Sequence, residues 1–521
     1  MDLGSAFAVS VRRRPDAEAV VDGDRRRTFA QWDAEIRTAA GALLRMGLKS
    51  GDHLAVIMRN RYEMATLYWA SHMLGLIFTP ISWRGSLEEI AYCLEDCEAA
   101  AVAYDGAAGS SPGEAAARLN IDPTRQIVAA EGKGDGLRFE KLMEERPVAG
   151  PAAPDDASTC LMLYTSGTTG RPKGVPRSHR AELAAGVSQV AHHLYRMGES
   201  SLCVMPMFHT MGVRKMLASA LVNGKLVCMP EYSPGGVLRQ VAAERVSSLF
   251  LVPTMFHDIV RDPALSRHDL GSLSRLGYAG MAMTPVLVEH CLERFRPEVF
   301  INHYGSSEIY TFTICDHLRE KPGCAGRAGL NQVIRVVPAE PGRRHEIETD
   351  LPPGEPGEIV ASMASPEAFT GYWKRPDADA KAIQNRWYRT GDLGQFDRDG
   401  ELYVIGRVDD MIISGGENIS PVDIESVLSL HPAVDEVAVA VQIDVVGRVG
   451  GVLLLAGAEA GADVVEPVRR GRRGAGRTRE VVAEHRCPAG RRRRHRVGQR
   501  GRGGGQGRGR DAGEAAGDQC Q

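Results

Sequence analysis

The sequence predicts an α/β protein: a large N-terminal domain of several subdomains with layered, mostly parallel sheets and a small β-rich subdomain, followed by a small, incomplete α+β domain. Three observations predict it. Helix-period and strand-like segments alternate through the first 330 residues. From about 330 the texture changes to short strands broken by Gly and Pro, clearest at 348–360 (ETDLPPGEPGEIV). From about 445 the chain stops resembling a packed domain and becomes rich in Arg and Gly. The boundaries this implies are 1–407, 408–454 and 455–521.

The elements follow in order. Residues 28–46 carry Trp32, Ile36, Ala39, Leu43 and Leu44, a spacing that lays one helix face on a core, and Gly47 stops it. Residues 53–58 (HLAVIM) form a buried strand, 61–76 a helix ending at Gly75, and 77–80 a short strand. Segments 201–205, 225–229 and 248–252 are strands separated by helical stretches. A β-rich subdomain spans roughly 330–405, and 410–441 starts a strand–turn–helix–strand unit. No internal repeat is present.

Composition narrows the function classes. At 521 residues the chain implies two to four domains, and 43% hydrophobic with 25% charged content is ordinary for a globular protein. A net charge of -3 gives no overall field to attract nucleic acid or a membrane. The start, MDLGSAFAVSVRRRPD, lacks the apolar run of a signal peptide, and no window nears the ~18 apolar residues of a membrane span. The ten cysteines are scattered, with only Cys93 and Cys97 close together. No Cys-x-x-Cys pair occurs, so the sequence predicts neither a zinc site nor a redox motif, and a cytoplasmic location is expected.

The strongest chemical signal is 164–174 (YTSGTTGRPKG). Gly167, Gly170 and Gly174 permit a tight loop whose N–H groups can face an anion. Thr165, Ser166, Thr168 and Thr169 add hydroxyls, and Lys173 adds a positive charge. Pro172 before Lys173 and Gly174 after it exclude a Walker A motif. Further on come Tyr304-Gly305-Ser306-Ser307-Glu308, 388–392 (YRTGD) and 406–419 (GRVDDMIISGGENI). Asp392 can accept bonds from both hydroxyls of a ribose. Glu308, just past a Gly-Ser-Ser turn, suits Mg²⁺, Tyr304 offers a flat face for adenine, and Arg407 can reach ribose or phosphate.

In this order the motifs resemble those of the adenylate-forming superfamily of acyl- and aryl-CoA synthetases, adenylation domains and luciferases, over roughly residues 15–440. The resemblance implies an ATP-dependent carboxylic acid–CoA ligase using ATP, Mg²⁺ and coenzyme A. The acid's carboxylate attacks the α-phosphorus, pyrophosphate leaves, and a thiol then takes the acyl group from acyl-AMP. Lys173, His209, Glu308 and Arg407 are implied catalytic residues. Residues 165–170, Lys173, the Tyr304–Glu308 segment, Asp392, Arg407, Ser414, Gly415, Gly416 and Glu417 are implied to bind the cofactors, with Glu308 on the metal and Asp409 as the hinge. The match of 407–419 and the NHYGSSE segment is strongest to 4-chlorobenzoate- and hydroxybenzoate-type ligases. It implies an aromatic or cyclic acid among His209, Gly280, Met281, His303, Gly305 and Tyr310. His209 is read either as a gate to the carboxylate or as a core histidine, and Met207, Met211, Met216 and Met281 as core or as a greasy tunnel.

Alternative readings are a medium- or long-chain fatty acid–CoA ligase, an acyl-carrier adenylation enzyme, and a decayed nucleotide-binding protein. No nucleic acid partner is expected, and a homodimer is allowed. The family carries a lysine near its C-terminus that contacts the forming carboxyl–phosphate bond, yet no lysine follows Lys381. Residues 469–510 hold sixteen arginines, in text such as RRRRHRVGQRGRGGGQGRGR. This is what a GC-rich gene yields in a shifted frame; the rival reading is an RNA-binding Arg/Gly tail. Either way 455–521 is expected to be disordered and adenylation to be slowed.

Overall fold

The helix that begins at Phe29 starts there because Thr28 and Gln31 form a reciprocal capping box. In the computed structural model it spans Phe29–Arg45 and buries Trp32, Ile36, Ala39 and Leu43. Leu44, expected on the same face, is 54% exposed, because one step of 100° carries it off the stripe. The helix Tyr62–Leu74 is buried on almost every side and ends where Gly75 turns left-handed at φ 71°. Trp32 Nε1 donates to Thr66 Oγ1 (3.0 Å) and joins the two helices.

The structure describes residues 1–165, 171–339, 347 and 349–408, together with the backbone of six strands beyond them. The chain forms two compact units, Met1–Met411 and Ile412–Gln521.

Two large sheets organise the first unit. One has seven strands in the order Leu137–Arg138, Gln126–Val128, Ala101–Tyr104, His53–Ile57, Ile77–Pro80, Thr159–Thr165, Lys173–Ser178, and only its last pair is antiparallel. The other has nine, in the order Arg327–Ala328, Thr313–Cys315, Val299–Tyr304, Arg275–Tyr278, Ser248–Leu251, Ser200–Cys203, Lys225–Cys228, Glu18–Asp22, Arg25–Thr28. Its interior pairs are parallel and its end strands antiparallel. One continuous core draws Leu54 and Val56 from the first sheet, Val20 and Leu226 from the second, and Trp32, Trp69 and Leu217 from helices. The helices are therefore layered between the sheets, the arrangement in which parallel strands become continuous apolar runs.

The expected β-rich subdomain is a five-stranded antiparallel sheet. Ile334–Val337, Gly357–Ser362, Trp387–Phe396 and Ile383–Gln384 follow one another, and Leu402–Arg407 also pairs with Trp387–Phe396.

Among the described residues, the second unit has three antiparallel strand pairs: Ile412–Ser414 with Glu417–Ile419, Glu436–Ile443 with Val449–Gly457, and Val481–Arg486 with Arg492–Val497. The helix expected within 410–441 lies outside the described residues. Apart from Val481–Arg486 and Arg492–Val497, the segment 458–521, expected to be disordered, lies outside the described residues.

Candidate functional site

Two strand ends and one pair of neighbouring strands bring the site residues of the first unit together. At the first, Thr159–Thr165 pairs with Lys173–Ser178, with Thr165 opposite Lys173 in the antiparallel register. Ser166, Gly167, Thr168, Thr169 and Gly170, between them, lie outside the described residues. Lys173 Nζ stands 4.3 Å from the centre of the Tyr372 ring. The Tyr372 hydroxyl donates to Glu308 Oε1 (2.7 Å) and lies 3.5 Å from the Tyr388 hydroxyl. Lys173, Tyr372 and Glu308 thus form one continuous chain of contacts.

Glu308 is 6% exposed, and among the described residues no cation pairs with its carboxylate. A carboxylate oxygen set beside a phenol hydroxyl is hard oxygen-donor chemistry, which fits a divalent cation. Burial first, and the Glu308 carboxylate second, push the Tyr372 hydroxyl well above its usual pKa, so it stays a donor. The backbone of Glu308 is pinned from behind. Arg177 is fully buried, pairs with Glu182 (2.8 Å), and donates to the carbonyls of Glu308 (2.9 Å) and Glu367 (2.6 Å).

The second is the turn from Gly305 to Glu308, at the end of Val299–Tyr304. Ser306 N–H donates to the Ile309 carbonyl (3.0 Å), and Ser307 Oγ lies 2.9 Å from Thr210 Oγ1. That last bond fastens the turn to the start of the helix Thr210–Leu221. A Cβ on Gly305 would sit 2.0 Å from the Tyr310 carbonyl oxygen, so only glycine allows this approach. Gly305→Ala is therefore expected to push the turn open and destabilise the fold by about 1–3 kcal/mol, read as a lowered urea midpoint. An unchanged midpoint together with unchanged ATP affinity would contradict it.

The antiparallel pairing of Trp387–Phe396 with Leu402–Arg407 sets Asp392 beside Arg407. The two residues are register partners on neighbouring strands, and their side chains meet at 3.1 Å. Tyr304 Oη donates to Asp392 Oδ2 (2.6 Å). Burial and the neighbouring Asp392 hold that phenol protonated, well above its usual pKa. The result is a carboxylate oriented by one phenol and one guanidinium at the edge of the sheet.

His209 caps the helix Thr210–Leu221, its side chain accepting weakly from Met211 N–H at 3.5 Å. It borders a cavity of about 260 Å³ walled by Trp83, Phe208, Tyr232, Met205 and Met255. Its ring opens to that cavity, but the protein crowding it lowers its pKa below the usual value and keeps it neutral. Asn60 fixes the segment before it, donating to the carbonyls of Cys203, Val204 and Met205 and accepting from Met207 N–H.

The other expected pocket residues are distributed differently. His303 and Tyr310 are each 2% exposed and neither borders the His209 cavity. The His303 ring is held by Arg214 Nη1 (2.7 Å), and the Tyr310 ring lies 3.9 Å from the Arg177 guanidinium. Their place is the core, because strand alternation turns His303 inward where it turns Tyr304 outward. Gly280, at φ 94°, Gly305 and the exposed Met281 also lie outside the cavity lining. Met207, Met211 and Met216 are buried.

Of the thiol-loop residues, Ser414 and Glu417 are register partners closing a two-residue hairpin. Gly415, Gly416 and Asp409 lie outside the described residues. Sequence reasoning missed Tyr372, Arg177 and Asn60. For Tyr372 a signal existed in the aromatic run 369–373 (FTGYW); the other two are identified only by their partners in the fold.

Known proteins share this sequence and fold. A family model described as AMP-binding enzyme matches residues 7–373. A feruloyl-CoA synthase of Amycolatopsis sp is 32% identical over 444 residues, covering 84% of this chain and 85% of the relative. The crystal structure of the anthranilate CoA ligase AuaEII with anthranoyl-AMP is similar at TM-score 0.78 and 25% identity, covering 85% of each chain. The o-succinylbenzoate CoA synthetase MenE of Bacillus subtilis, in complex with ATP and magnesium ion, is similar at TM-score 0.72 and 26% identity, covering 84% of this chain and 87% of that one.

Proposed function

The chain belongs to the AMP-binding enzyme family, and from that premise we infer that it is an ATP-dependent carboxylic acid–CoA ligase working through acyl-AMP on a compact aromatic acid. The observation that carries the reading is the pairing of two constellations in one unit. Asp392 with Tyr304 and Arg407 suits a ribose, and Lys173 with Tyr372 and Glu308 suits a polyphosphate and its cation.

Asp392 holds the ribose hydroxyls and thereby sets where the α-phosphorus lies. Lys173 and the N–H groups of 166–170 take the negative charge that grows as pyrophosphate departs. Glu308 would hold Mg²⁺, which when bound neutralises phosphate charge. His209, neutral and at the cavity border, can donate one hydrogen bond to the acid without trapping it in an ion pair. Ser414 to Glu417 belong to the thiol step that follows, and ATP and CoA are both cytoplasmic reagents. An aromatic acid is supported by the modest, aromatic-walled cavity and by the feruloyl- and anthranilate-activating relatives.

The test is calorimetric binding of non-hydrolysable acyl-adenylate analogues to the full chain, which needs no turnover. A feruloyl or benzoyl analogue is expected to bind at least about tenfold tighter than a dodecanoyl one, a difference of about 1.4 kcal/mol. Equal or reversed affinities would favour a fatty acid, and no binding of either would sink the ligase reading.

A further inference from the structure

We propose that the first unit carries a structural site for a zinc-class divalent cation, formed by Cys315, His317, Cys324 and Glu401, away from the nucleotide constellations. Donor atoms of Cys315, His317 and Cys324 all lie within 4.8 Å of one another. Glu401 closes the set: its Oε2 is 3.5 Å from Cys324 Sγ and its Oε1 is 3.3 Å from His317 Nε2. Two thiols, an imidazole and a carboxylate are the donor chemistry and number of a closed tetrahedral zinc site. At Zn–S and Zn–N distances of about 2.0–2.3 Å, donors sit roughly 3.3–3.8 Å apart, so inward shifts of about half an ångström complete the shell.

The surroundings are those of a metal site. His317 Nδ1 faces the Asp316 carboxylate at 2.9 Å, which orients the ring and leaves Nε2 towards Glu401. Gly326 N–H donates to Cys324 Sγ at 3.0 Å and fixes where the sulfur sits. Gly326 stands at φ +92°, where a Cβ would strike the Ile314 carbonyl at 1.9 Å, so the approach of the two cysteine segments depends on it. Arg327 pairs with Glu401 at 2.8 Å and balances, with the ion, the two thiolates and the carboxylate. Cys315, Cys324 and Glu401 are buried, while the His317 side chain is 34% exposed and leaves a way in.

The pattern Cys-x-His-x6-Cys contains no Cys-x-x-Cys pair, and its fourth donor comes 77 residues after Cys324. The expectation of no zinc site rested on spacing, and the fold supplies what spacing cannot. On binding, the two thiol S–H bonds give way to two metal–sulfur bonds and two protons pass to solvent. The ion joins the edge of the nine-stranded sheet to the hairpin bearing Asp392 and Arg407. At that junction Leu402 N–H donates to the Gly326 carbonyl (2.8 Å) and Ala325 N–H to the Leu402 carbonyl (2.7 Å). A second donor set, His72, Cys160 and His179, is wholly buried and offers three donors, and it serves as an internal control.

The experiment titrates the reduced, chelator-stripped full chain with Co²⁺ and then Zn²⁺. One Co²⁺ per chain is expected, with thiolate-to-cobalt charge-transfer absorption and tetrahedral visible bands that Zn²⁺ abolishes. Cys315→Ser and Cys324→Ser should remove the bands and Cys160→Ser should not. Glu401→Gln should weaken zinc about 10- to 100-fold. Absence of the bands in the unmodified chain overturns the proposal without reliance on a folded variant. So do bands that survive both cysteine changes, or Cys315 and Cys324 found joined as a disulfide in the freshly purified protein.

Discussion

Replacing the chain after about residue 440 with the lysine-bearing C-terminal segment of a related CoA ligase is expected to raise acyl-AMP formation about 100- to 1,000-fold, the usual effect of one oriented charge on a transition state. The physical reason is local. Displacement at the α-phosphorus brings an anionic carboxylate against an anionic polyphosphate, so the barrier is set by how well that charge is met. Arg407 is already matched by Asp392 at 3.1 Å, which leaves Lys173 as the less committed cation. No lysine follows Lys381 to supply the contact that the family's C-terminal lysine makes. Single-turnover pyrophosphate release in the native and grafted chains gives the ratio. A graft whose own lysine is changed to alanine separates the charge from mere completion of the domain. No gain from the graft would show that the Arg/Gly-rich end is no handicap, and equal gain from both grafts would assign the effect to completion of the domain and not to the lysine.

Most of the scaffold was legible because its signals are short-range. The apolar stripe of 28–46, the glycine stop at Gly75 and the apolar strand at 53–57 depend on residues close to one another in the chain. The ribose and phosphate candidates were legible because Asp392, Lys173 and Glu308 are residue types whose chemistry survives outside any fold. What the sequence hid is long-range. Arg177 reaches the Glu308 backbone across 131 residues, and Tyr372 reaches its carboxylate across 64. His303 and Tyr310 were implied for the pocket by the resemblance alone, and only the fold shows both rings buried beside arginines. Beside Tyr304 a one-residue step reverses the face, and buried Arg214 and Arg177 then make a polar interior acceptable for both rings. The donor set of Cys315, His317, Cys324 and Glu401 escaped for the same reason, since no local pattern announces Glu401.

Asp392→Asn is expected to weaken ATP binding about 100-fold while leaving the fold in place. The amide keeps the size of the side chain but removes its charge, and one of its two heads becomes a donor where acceptors are needed. Two hydrogen bonds from ribose hydroxyls to a carboxylate contribute about 1.5–3 kcal/mol each, and a net loss near 3 kcal/mol corresponds to about two powers of ten. Tyr304→Phe removes the phenol that orients the same carboxylate (2.6 Å) and, as a single bond worth about 1 kcal/mol, should cost only about fivefold. The discriminating ligand is 2′,3′-dideoxy-ATP, measured by calorimetry on all three proteins. If Asp392 holds the ribose, the native chain loses affinity for the dideoxy nucleotide about as severely as Asp392→Asn loses it for ATP, and the variant no longer distinguishes the two. If instead Asp392 serves only to fix Arg407, removing the hydroxyls costs the same in native and variant chains. The two losses then add, as they do for independent sites. Additivity in that cycle would move the ribose elsewhere and leave the Asp392–Arg407 pair as a brace of the antiparallel sheet.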